Sequence, residues 1–414
     1  MESYDIAVVG AGPAGAMAAI RAAQLNKKVV LLEKNDSIGK KILLTGKGRC
    51  NLTNVASVDD FIEKFGKNGV FLRSAFSRFF NEDLIEFFKA KGLDLKIERQ
   101  GRVFPCTDRA VSVLRVLRDY LLDNNVSVLY SMRIKDIKRG DGFFQLHLED
   151  RSDILSKKVI LATGGVSFKA TGSTGDGLRI ARGFGHKIIP LRPGLVPLRT
   201  KEGWVRDLQG LTLKNIRLVF HSGRKKIVSE IGELLFTHFG VSGPLVLDLS
   251  SEVVCLLESN QGIFLSVDLK PALTKVEIEE RLLREVKACG NTKLRNILKE
   301  WLPAKLIPVF IKLSGVNADK KANQLSKDER RTLVNLFKDL SLTVIGSLPI
   351  EEAMVTCGGV ALDEINPQTM ESRVIPGLYF AGEILDTQAP SGGYNLQQAF
   401  STGYLAGEQA GCAK

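Results

Sequence analysis

Residues 5–15 read DIAVVGAGPAG, and this stretch decides the fold. Residues 5–9 are apolar and largely β-branched, which is typical of a buried strand. A glycine turn follows at once, and the alanine-rich residues 16–25 favour a helix. A second apolar run at 28–32 predicts another strand, which ends at Glu33. This order of strand, glycine turn, helix, strand and acid indicates a dinucleotide-binding fold.

Each glycine of the turn has its own physical task in such a fold. Gly10 makes the tight turn, Gly12 lets the backbone approach a pyrophosphate, and Gly15 lets the helix pack on the strand. The helix N-terminus offers free N–H groups to the phosphates. Glu33 lies 18 residues after Gly15, near the roughly 20 expected for an acid that binds a ribose hydroxyl. An acid here would repel a 2′-phosphate, so the pattern predicts FAD or NAD rather than NADP.

The composition excludes several other classes of protein. The chain has 414 residues, of which 44% are hydrophobic and 25% charged, as in soluble globular proteins. It has no run of eighteen apolar residues and no basic leader, so we expect a cytoplasmic protein without a membrane span. Its 6 cysteines lie far apart without a C-x-x-C pair, and its 4 histidines are scattered. We therefore expect no metal site, no redox pair and no disulfide scaffold.

Two further segments distinguish FAD from NAD. Residues 157–161 form a strand pattern that ends in Ala-Thr-Gly-Gly, and residues 374–383 form another that ends in Gly-Glu. With these segments the chain resembles the two-dinucleotide-binding flavoproteins. The resemblance implies that Glu383 binds the ribitol of FAD and that the helix after it points at the isoalloxazine. A second complete glycine fingerprint is absent from the sequence, so we expect NAD(P)H to visit the flavin directly as a transient co-substrate.

A narrower resemblance, from residue 5 to about 410, is to the HI0933-like flavoproteins, also called the aminoacetone oxidase family. The motifs that carry it are GKK at 39–41, TGKGRCNLTN at 45–54, GRVFP at 101–105, ATGG at 162–165, TGSTGDG at 171–177, LFTHFGVSGP at 235–244 and GGYNLQ at 392–397. The chain departs from the family pattern at Lys47, around residues 168–169 and at 389–391. The last two departures lie where a substrate would enter, so they concern the substrate rather than FAD.

The resemblance implies an α/β fold: a Rossmann-like FAD-binding domain with an inserted β-barrel substrate domain that carries a small helical subdomain. The pattern agrees, since short alternating strands occupy 194–266 and helical patterns follow. The predicted boundaries are 1–190 for the first part of the FAD-binding domain, 191–269 for the barrel, 270–339 for the helical subdomain, 340–360 for a return through the barrel and 361–414 for the C-terminal part of the FAD-binding domain.

The predicted FAD contacts come from the glycine turn, the family motifs and the C-terminal strand end. They are Gly10, Gly12, Pro13, Ala14, Gly15, Glu33, Lys34, Lys41, Gly48, Arg49, Asn51, Thr163, Gly164, Asp176, Gly382, Glu383, Gly393, Asn395 and Leu396. The loop at 45–54 suits a phosphate or a flavin ring, with an ordinary surface turn as the alternative. Asp176 either caps the following helix or fixes a loop over the flavin. The N-terminus of the last helix would stabilise negative charge on reduced flavin.

Reduction of a polarised C=C bond needs a hydride from flavin N5 and a proton from a nearby acid. The predicted proton donors are Cys50, His238 and Tyr394. Arg49 would lower the pKa of the neighbouring Cys50 thiol, and it would pair with a phosphate, a flavin carbonyl or the substrate. The alternatives are that Cys50 is a packed small residue and that His238 is structural.

The charge distribution bears on the substrate. The chain has 58 Lys and Arg against 46 Asp and Glu, a net charge of +12. Residues 270–339 hold 16 of the former and 9 of the latter, so more than half of the net charge lies there. This region is either a solvated helical surface or a face that binds a polyanion.

The resemblance implies amine oxidation, reduction of an unsaturated steroid acid, or reduction of uracil to dihydrouridine in large-subunit ribosomal RNA. The basic region favours ribosomal RNA as partner and uracil reduction as the activity. The alternatives are a small-molecule oxidase or ene-reductase, and a flavin-binding protein that associates with RNA or senses redox state without catalysis.

Overall fold

The glycine turn at 10–15 joins a strand to a helix, as the sequence predicts. The computed structural model describes residues 2–150, 152–259 and 262–412. Within these residues the helices are α1 (Pro13–Gln24), α2 (Val58–Lys64), α3 (Arg73–Arg78), α4 (Asn81–Lys89), α5 (Ala110–Asp123), α6 (Asp176–Gly183), α7 (Pro244–Leu257), α8 (Lys275–Ala288), α9 (Leu294–Ile297), α10 (Ile307–Ser314), α11 (Lys327–Lys338) and α12 (Tyr394–Cys412). The strands are β1 (Glu2–Val9), β2 (Val29–Leu32), β3 (Thr53–Asn54), β4 (Leu95–Ile97), β5 (Arg102–Pro105), β6 (Ser127–Leu129), β7 (Ile134–Arg139), β8 (Phe144–Leu148), β9 (Asp153–Leu161), β10 (Ile188–Gly194), β11 (Leu198–Thr200), β12 (Thr212–Ser222), β13 (Lys225–Phe236), β14 (Gly240–Ser242), β15 (Ile263–Asp268), β16 (Leu340–Ser347), β17 (Val355–Val360) and β18 (Leu378–Phe380).

The chain divides into two units. Residues 1–194 and 350–414 form the sheet unit, and residues 195–349 form the barrel unit. The predicted return through the barrel over 340–360 is wrong in its second half. β16 is a barrel strand, but β17 pairs antiparallel with β10 in the sheet unit. β17 reads VTCGGV and is buried at every position, so no alternation reveals which sheet it joins.

A seven-stranded sheet with the order β6-β2-β1-β9-β8-β7 forms the centre of the sheet unit, and β18 pairs with β9 beside it. β1 is parallel to both β2 and β9, and β18 is parallel to β9. The carboxyl ends of β1, β9 and β18 therefore meet at one edge, which is where ligands bind in open α/β sheets. Two smaller antiparallel sheets, β3-β5-β4 and β10-β17, complete this unit.

The last helix, α12, packs along the first helix, α1, at very short range. A Cβ atom added at Gly403 would lie 2.2 Å from the backbone oxygen of Ala14, and one at Gly407 would lie 2.3 Å from that of Ala18. Only glycine allows this approach, which buries most of α12 in the core of the sheet unit. No helix in the described part of the chain is long and apolar enough to cross a membrane.

The barrel unit contains the closed barrel β11-β14-β13-β12-β15-β16 and helices α7 to α11. The barrel strands alternate between inward and outward side chains. In β15, for example, Ile263 and Leu265 are fully buried, whereas Phe264 is exposed. Barrel strands and helices share one hydrophobic core. The predicted barrel with a helical insertion is confirmed.

The helix crossing gives a stability prediction. We expect Gly407→Ala to lower the free energy of unfolding by about 1–3 kcal/mol, because the added methyl group overpacks the contact with Ala18. The matched control is Gly183→Ala at the end of α6, where an added Cβ meets nothing within 4 Å. This control should be neutral or slightly stabilising. Urea denaturation measures both, and equal midpoints for the two variants would contradict the close crossing.

Candidate functional site

A groove opens at the carboxyl ends of β1, β9 and β18 in the sheet unit. It encloses about 1360 Å³ of empty space, its open mouth included. Its lining includes the glycine turn and the residues that follow β2 and β18. The predicted cofactor residues that line the groove are Gly10, Gly12, Pro13, Ala14, Glu33, Lys34, Lys41, Thr163, Gly164, Asp176, Gly382, Glu383, Asn395 and Leu396.

The glycine turn has the geometry that a pyrophosphate requires. A Cβ atom at Gly12 would meet nothing within 4 Å, so the backbone here faces open space in the groove. A Cβ atom at Gly15 would lie 1.8 Å from the backbone oxygen of Gly10, which explains why Gly15 packs behind the groove and does not line it. Gly10 has a φ of +96°, a conformation that favours glycine.

Glu33 is held in place at the end of β2. One carboxylate oxygen accepts a hydrogen bond from the backbone N–H of Ala11 at 2.8 Å, and the other accepts one from the backbone N–H of Asn35 at 2.9 Å. Glu33 is only 7% exposed, yet it lines the groove. Its carboxylate thus joins the glycine turn to the end of the neighbouring strand and has a fixed position in the wall of the groove.

Asp176 is the first residue of α6, but its carboxylate does not cap that helix. It accepts hydrogen bonds from Lys34 Nζ at 3.0 Å and from Arg133 Nη2 at 3.0 Å. Partial burial raises the pKa of Asp176, but the hydrogen bonds from Arg133, Lys34 and Thr174 outweigh this and hold the pKa well below its usual range. Arg133 also lines the groove, and no sequence signal marked it.

At the other strand end, Glu383 follows β18 and forms an ion pair with Lys41, with Nζ and Oε2 2.7 Å apart. Its Oε1 accepts hydrogen bonds from the backbone N–H of Thr356 at 2.8 Å and from Ser167 Oγ at 3.2 Å. Sequence reasoning found Lys41 and Glu383 but missed Ser167 and Thr356, because these come from segments without a motif. Two strand ends at the groove therefore each carry a carboxylate with a fixed position: Glu33 after β2 and Glu383 after β18.

The comparisons with known proteins agree with this geometry. The HI0933-like protein Rossmann domain family matches residues 4–409. The chain belongs to this family. The HI0933-like chain is 34% identical to the 3-dehydro-bile acid delta(4,6)-reductase of Clostridium scindens, over 98% of each protein. It is 32% identical to the ribosomal RNA dihydrouridine synthase of Escherichia coli, over 100% of each.

Solved structures support the fold of this HI0933-like chain. The open conformation of a flavocytochrome c3 fumarate reductase superposes with a TM-score of 0.56 at 18% identity, covering 99% of this chain and 78% of that one. A 3-ketosteroid-delta4-(5alpha)-dehydrogenase from Rhodococcus jostii superposes with a TM-score of 0.52 at 14% identity, covering 100% and 97%. The family and its relatives identify the chain as an FAD-binding oxidoreductase.

The residues of the groove fit FAD. The open space at Gly12 suits the pyrophosphate, and Glu33 suits the adenosine ribose. Thr163 Oγ1 is buried without a hydrogen-bond partner among the described residues, although Thr163 lines the groove. A buried hydroxyl of this kind usually has a partner, which a polar group of the cofactor would provide. Among the described residues, no group of three or more His, Cys, Asp and Glu is placed to hold a metal ion.

Arg49 does not line the groove. Its guanidinium pairs with Glu98, with Nη1 and Oε1 2.8 Å apart, and with Asp108 at 3.3 Å. It also lies over the ring of Phe104, with Cζ 4.1 Å from the centroid. The neighbouring Gly48 and Asn51 are likewise absent from the lining, whereas Lys41 and Thr45 of the same region belong to it. Arg49 therefore binds the loop to the rest of the sheet unit.

The expectation that Arg49 lowers the pKa of Cys50 is wrong. Cys50 is fully buried, and burial raises the pKa of its thiol to about 12, although a hydrogen bond with Thr45 opposes the shift. The cation of Arg49 is neutralised by Glu98 and Asp108. Cys50 also does not line the groove, so its surroundings are those of a packed small residue.

Tyr394, Gly393 and His238 are three further predicted site residues, and each has different surroundings. Tyr394, the first residue of α12, is buried against Phe61, with ring centroids 4.7 Å apart, and the next two residues line the groove. Gly393 packs on the backbone of Thr53, which a Cβ atom would approach to 2.3 Å. His238 belongs to the barrel unit, in an exposed turn between β13 and β14. The catalytic roles of Tyr394 and His238 stay predictions.

The buried thiol gives a second prediction. We expect Cys50 to resist iodoacetamide at about pH 8, because alkylation requires an accessible thiolate. The exposed Cys106, Cys255, Cys289 and Cys412 should react first, and peptide mass spectrometry measures each rate. In urea all thiols should react alike, which is the control. Labelling of native Cys50 as fast as Cys106 would contradict its burial.

Proposed function

We propose that this chain is an FAD-dependent reductase that converts a uracil in large-subunit ribosomal RNA to dihydrouridine. The observation that carries the proposal is the full-length similarity to two proteins named ribosomal RNA dihydrouridine synthase. One is from Escherichia coli at 32% identity, and the other is from Haemophilus influenzae at 31% identity over 96% of each protein. The basic surface of the barrel unit supports an RNA substrate. Such a substrate implies a cytoplasmic protein.

The proposed roles of the groove residues follow from their positions. Gly12 and the N-terminus of α1 hold the pyrophosphate, Glu33 holds the ribose, and Glu383 with Lys41 holds the ribitol side. FAD, when bound, supplies the hydride from its N5 position. The N-terminus of α12 favours negative charge in its neighbourhood, because its peptide dipoles leave a partial positive charge there. NAD(P)H is the proposed electron donor.

The reaction adds a hydride and a proton across one C=C bond, so an acid must deliver the proton to the substrate. Cys50 is poorly suited, because it is fully buried, lies outside the groove lining and has a pKa of about 12. Tyr394 and His238 stay the proposed donors: they too lie outside the groove lining, but Tyr394 directly precedes two lining residues and His238 is exposed. Arg49 is assigned to the loop that carries Cys50 and not to the reaction, since Glu98 and Asp108 already pair with it.

The RNA contact is proposed on the helices of the barrel unit. Several of their cations are neutralised within the protein: Asp319 pairs with Lys293 and Arg295, and Glu329 pairs with Lys320. Other cations are exposed and form no ion pair with a described residue. These are Arg284 and Lys287 on α8, Lys312 on α10, and Lys327 and Arg331 on α11. They are free to contact phosphates.

A second candidate function is favoured by the relative from Clostridium scindens. Its identity of 34% is slightly above that of the two RNA-modifying relatives, and its name describes reduction of a bile acid. The same groove would serve an ene-reductase that acts on a small unsaturated acid. Reoxidation of the reduced flavin by an unsaturated 3-oxo steroid acid, without oxygen, tests this candidate.

The first experiment is a genetic one. Ribosomal RNA from a strain that lacks this gene should contain no dihydrouridine at the affected position, as nucleoside mass spectrometry measures. The wild-type gene should restore it, whereas a Glu33→Ala, Glu383→Ala variant should not, because it loses FAD. The matched control removes two exposed carboxylates of α4, Glu82→Ala and Glu86→Ala, and should restore dihydrouridine. Unchanged dihydrouridine in the deletion strain would contradict the proposal.

The helical surface gives a separate prediction. Lys312→Glu with Arg331→Glu should weaken binding to a transcribed fragment of large-subunit ribosomal RNA. It should also lower the slope of log K against log salt by about 1 for each lost phosphate contact. The control reverses two exposed cations of the sheet unit, Lys89→Glu and Lys138→Glu. If the two pairs reduce binding equally, the helices are not a specific RNA face.

A further inference from the structure

The outer face of the barrel carries four aligned side chains, one from each of four neighbouring strands. His221 of β12 lies opposite Lys226 of β13 on one side and opposite Phe264 of β15 on the other. Phe264 in turn lies opposite Thr343 of β16. Directly opposed residues have Cβ atoms about 4.5–5.5 Å apart, so the four form a continuous strip across the surface. We call Lys226, His221, Phe264 and Thr343 the outer strip.

The outer strip presents two flat rings to solvent. Phe264 is 57% exposed, more than any other Phe, Tyr or Trp in the described part of the chain, and His221 beside it is also exposed. The alternation of β15 explains why Phe264 points outward, since Ile263 and Leu265 fill the barrel. It does not explain a phenyl ring there, because the next outward residue, Ser266, is polar. An exposed ring of this size suits a ligand with a flat apolar face.

A cluster of positive charge adjoins these rings. The hairpin between β12 and β13 places Arg224 and Lys225 at its tip, next to Lys226 of the outer strip. All three are exposed and form no ion pair with any residue that the structure describes. The acid Glu230 lies further along β13, away from the tip. The end of the strand pair near the rings is therefore positive, as phosphates require.

We propose that the outer strip and the hairpin tip bind single-stranded RNA. Unpaired bases stack on Phe264 and His221, while the backbone phosphates contact Arg224, Lys225 and Lys226. Aromatic residues on an open sheet face are a recurring way to hold unpaired bases, and nearby cations add affinity without sequence preference. A duplex does not offer its base faces, so the rings favour a single strand over a helix. This inference rests on the proposed function. It adds that the part of the RNA substrate that this surface contacts is unpaired.

The test measures binding to a fluorescein-labelled oligouridylate of about 12 nucleotides, by fluorescence anisotropy with the FAD-loaded full chain. Phe264→Ala should weaken binding by about 5- to 150-fold, the effect of losing one stacked base. Phe264→Trp should retain binding, because an indole ring also stacks. The matched control is Phe143→Ala, which removes an exposed phenyl ring from the sheet unit and should bind like the wild type. Lys226→Glu should weaken binding and reduce its salt dependence.

Each outcome supports or overturns the inference. Loss of binding in Phe264→Ala and Lys226→Glu, with normal flavin content and a wild-type melting temperature, supports it. Equal affinity of Phe264→Ala and the wild type overturns it, as does equal or tighter binding of a duplex of the same length. Binding that depends on Lys226 but not on Phe264 also overturns it, because the surface would then be a general anion site.

Failure of the inference is distinguishable from failure of the proposed function. If the gene restores dihydrouridine and Phe264→Ala binds the probe normally, the function stands and the outer strip is not its RNA site. If the deletion strain keeps its dihydrouridine while Phe264→Ala still loses the probe, the outer strip binds RNA in a protein with another reaction.

Discussion

The cofactor groove depends on the close crossing of α1 and α12, which brings the two ends of the chain together. The crossing is possible only because Gly403 and Gly407 expose bare backbone to Ala14 and Ala18. α12 then lies along the helix of the glycine turn, and β18, just before it, takes its place beside β9. The glycine turn and the C-terminal acid therefore belong to one packed core, although they are far apart in sequence.

The two carboxylates of the groove are preorganised by backbone contacts. Glu33 is bound by the N–H groups of Ala11 and Asn35, and Glu383 by the N–H group of Thr356 together with Lys41. These contacts fix each carboxylate before a ligand arrives, so binding does not have to order it. They also restrain neighbouring segments, since each acid links its own strand end to another part of the sheet unit. The same residues thus both link parts of the sheet unit and line the groove.

Sequence reasoning was correct where the contacts that define a feature are local. The strand, glycine turn, helix and acid at residues 5–33 follow from spacing and backbone sterics, and the family motifs led to Lys41 and Glu383. Sequence reasoning failed where a residue distant in sequence determines the surroundings of a side chain. The surroundings of Arg49 depend on Glu98, Phe104 and Asp108, and nothing in the sequence indicates that folding brings these residues to Arg49. The error on Cys50 follows from this, because a sequence neighbour says little about burial or about the neutralisation of a charge.

The same reasoning separates FAD binding from substrate choice. The groove uses features that a dinucleotide requires, and relatives of similar identity have names that describe a bile acid and a ribosomal RNA, so the groove alone does not select between these substrates. Net charge alone also does not show whether the helices bind a polyanion, because acids such as Asp319 and Glu329 neutralise part of the helical cations. What selects a polyanion is the set of cations that folding leaves exposed and without an acidic partner. If the outer strip binds RNA as we propose, its phenyl ring stacks on an unpaired base, whereas reduction of a steroid acid in the groove does not need this surface. The two candidate substrates therefore differ in what they require of the outer surface of the barrel unit.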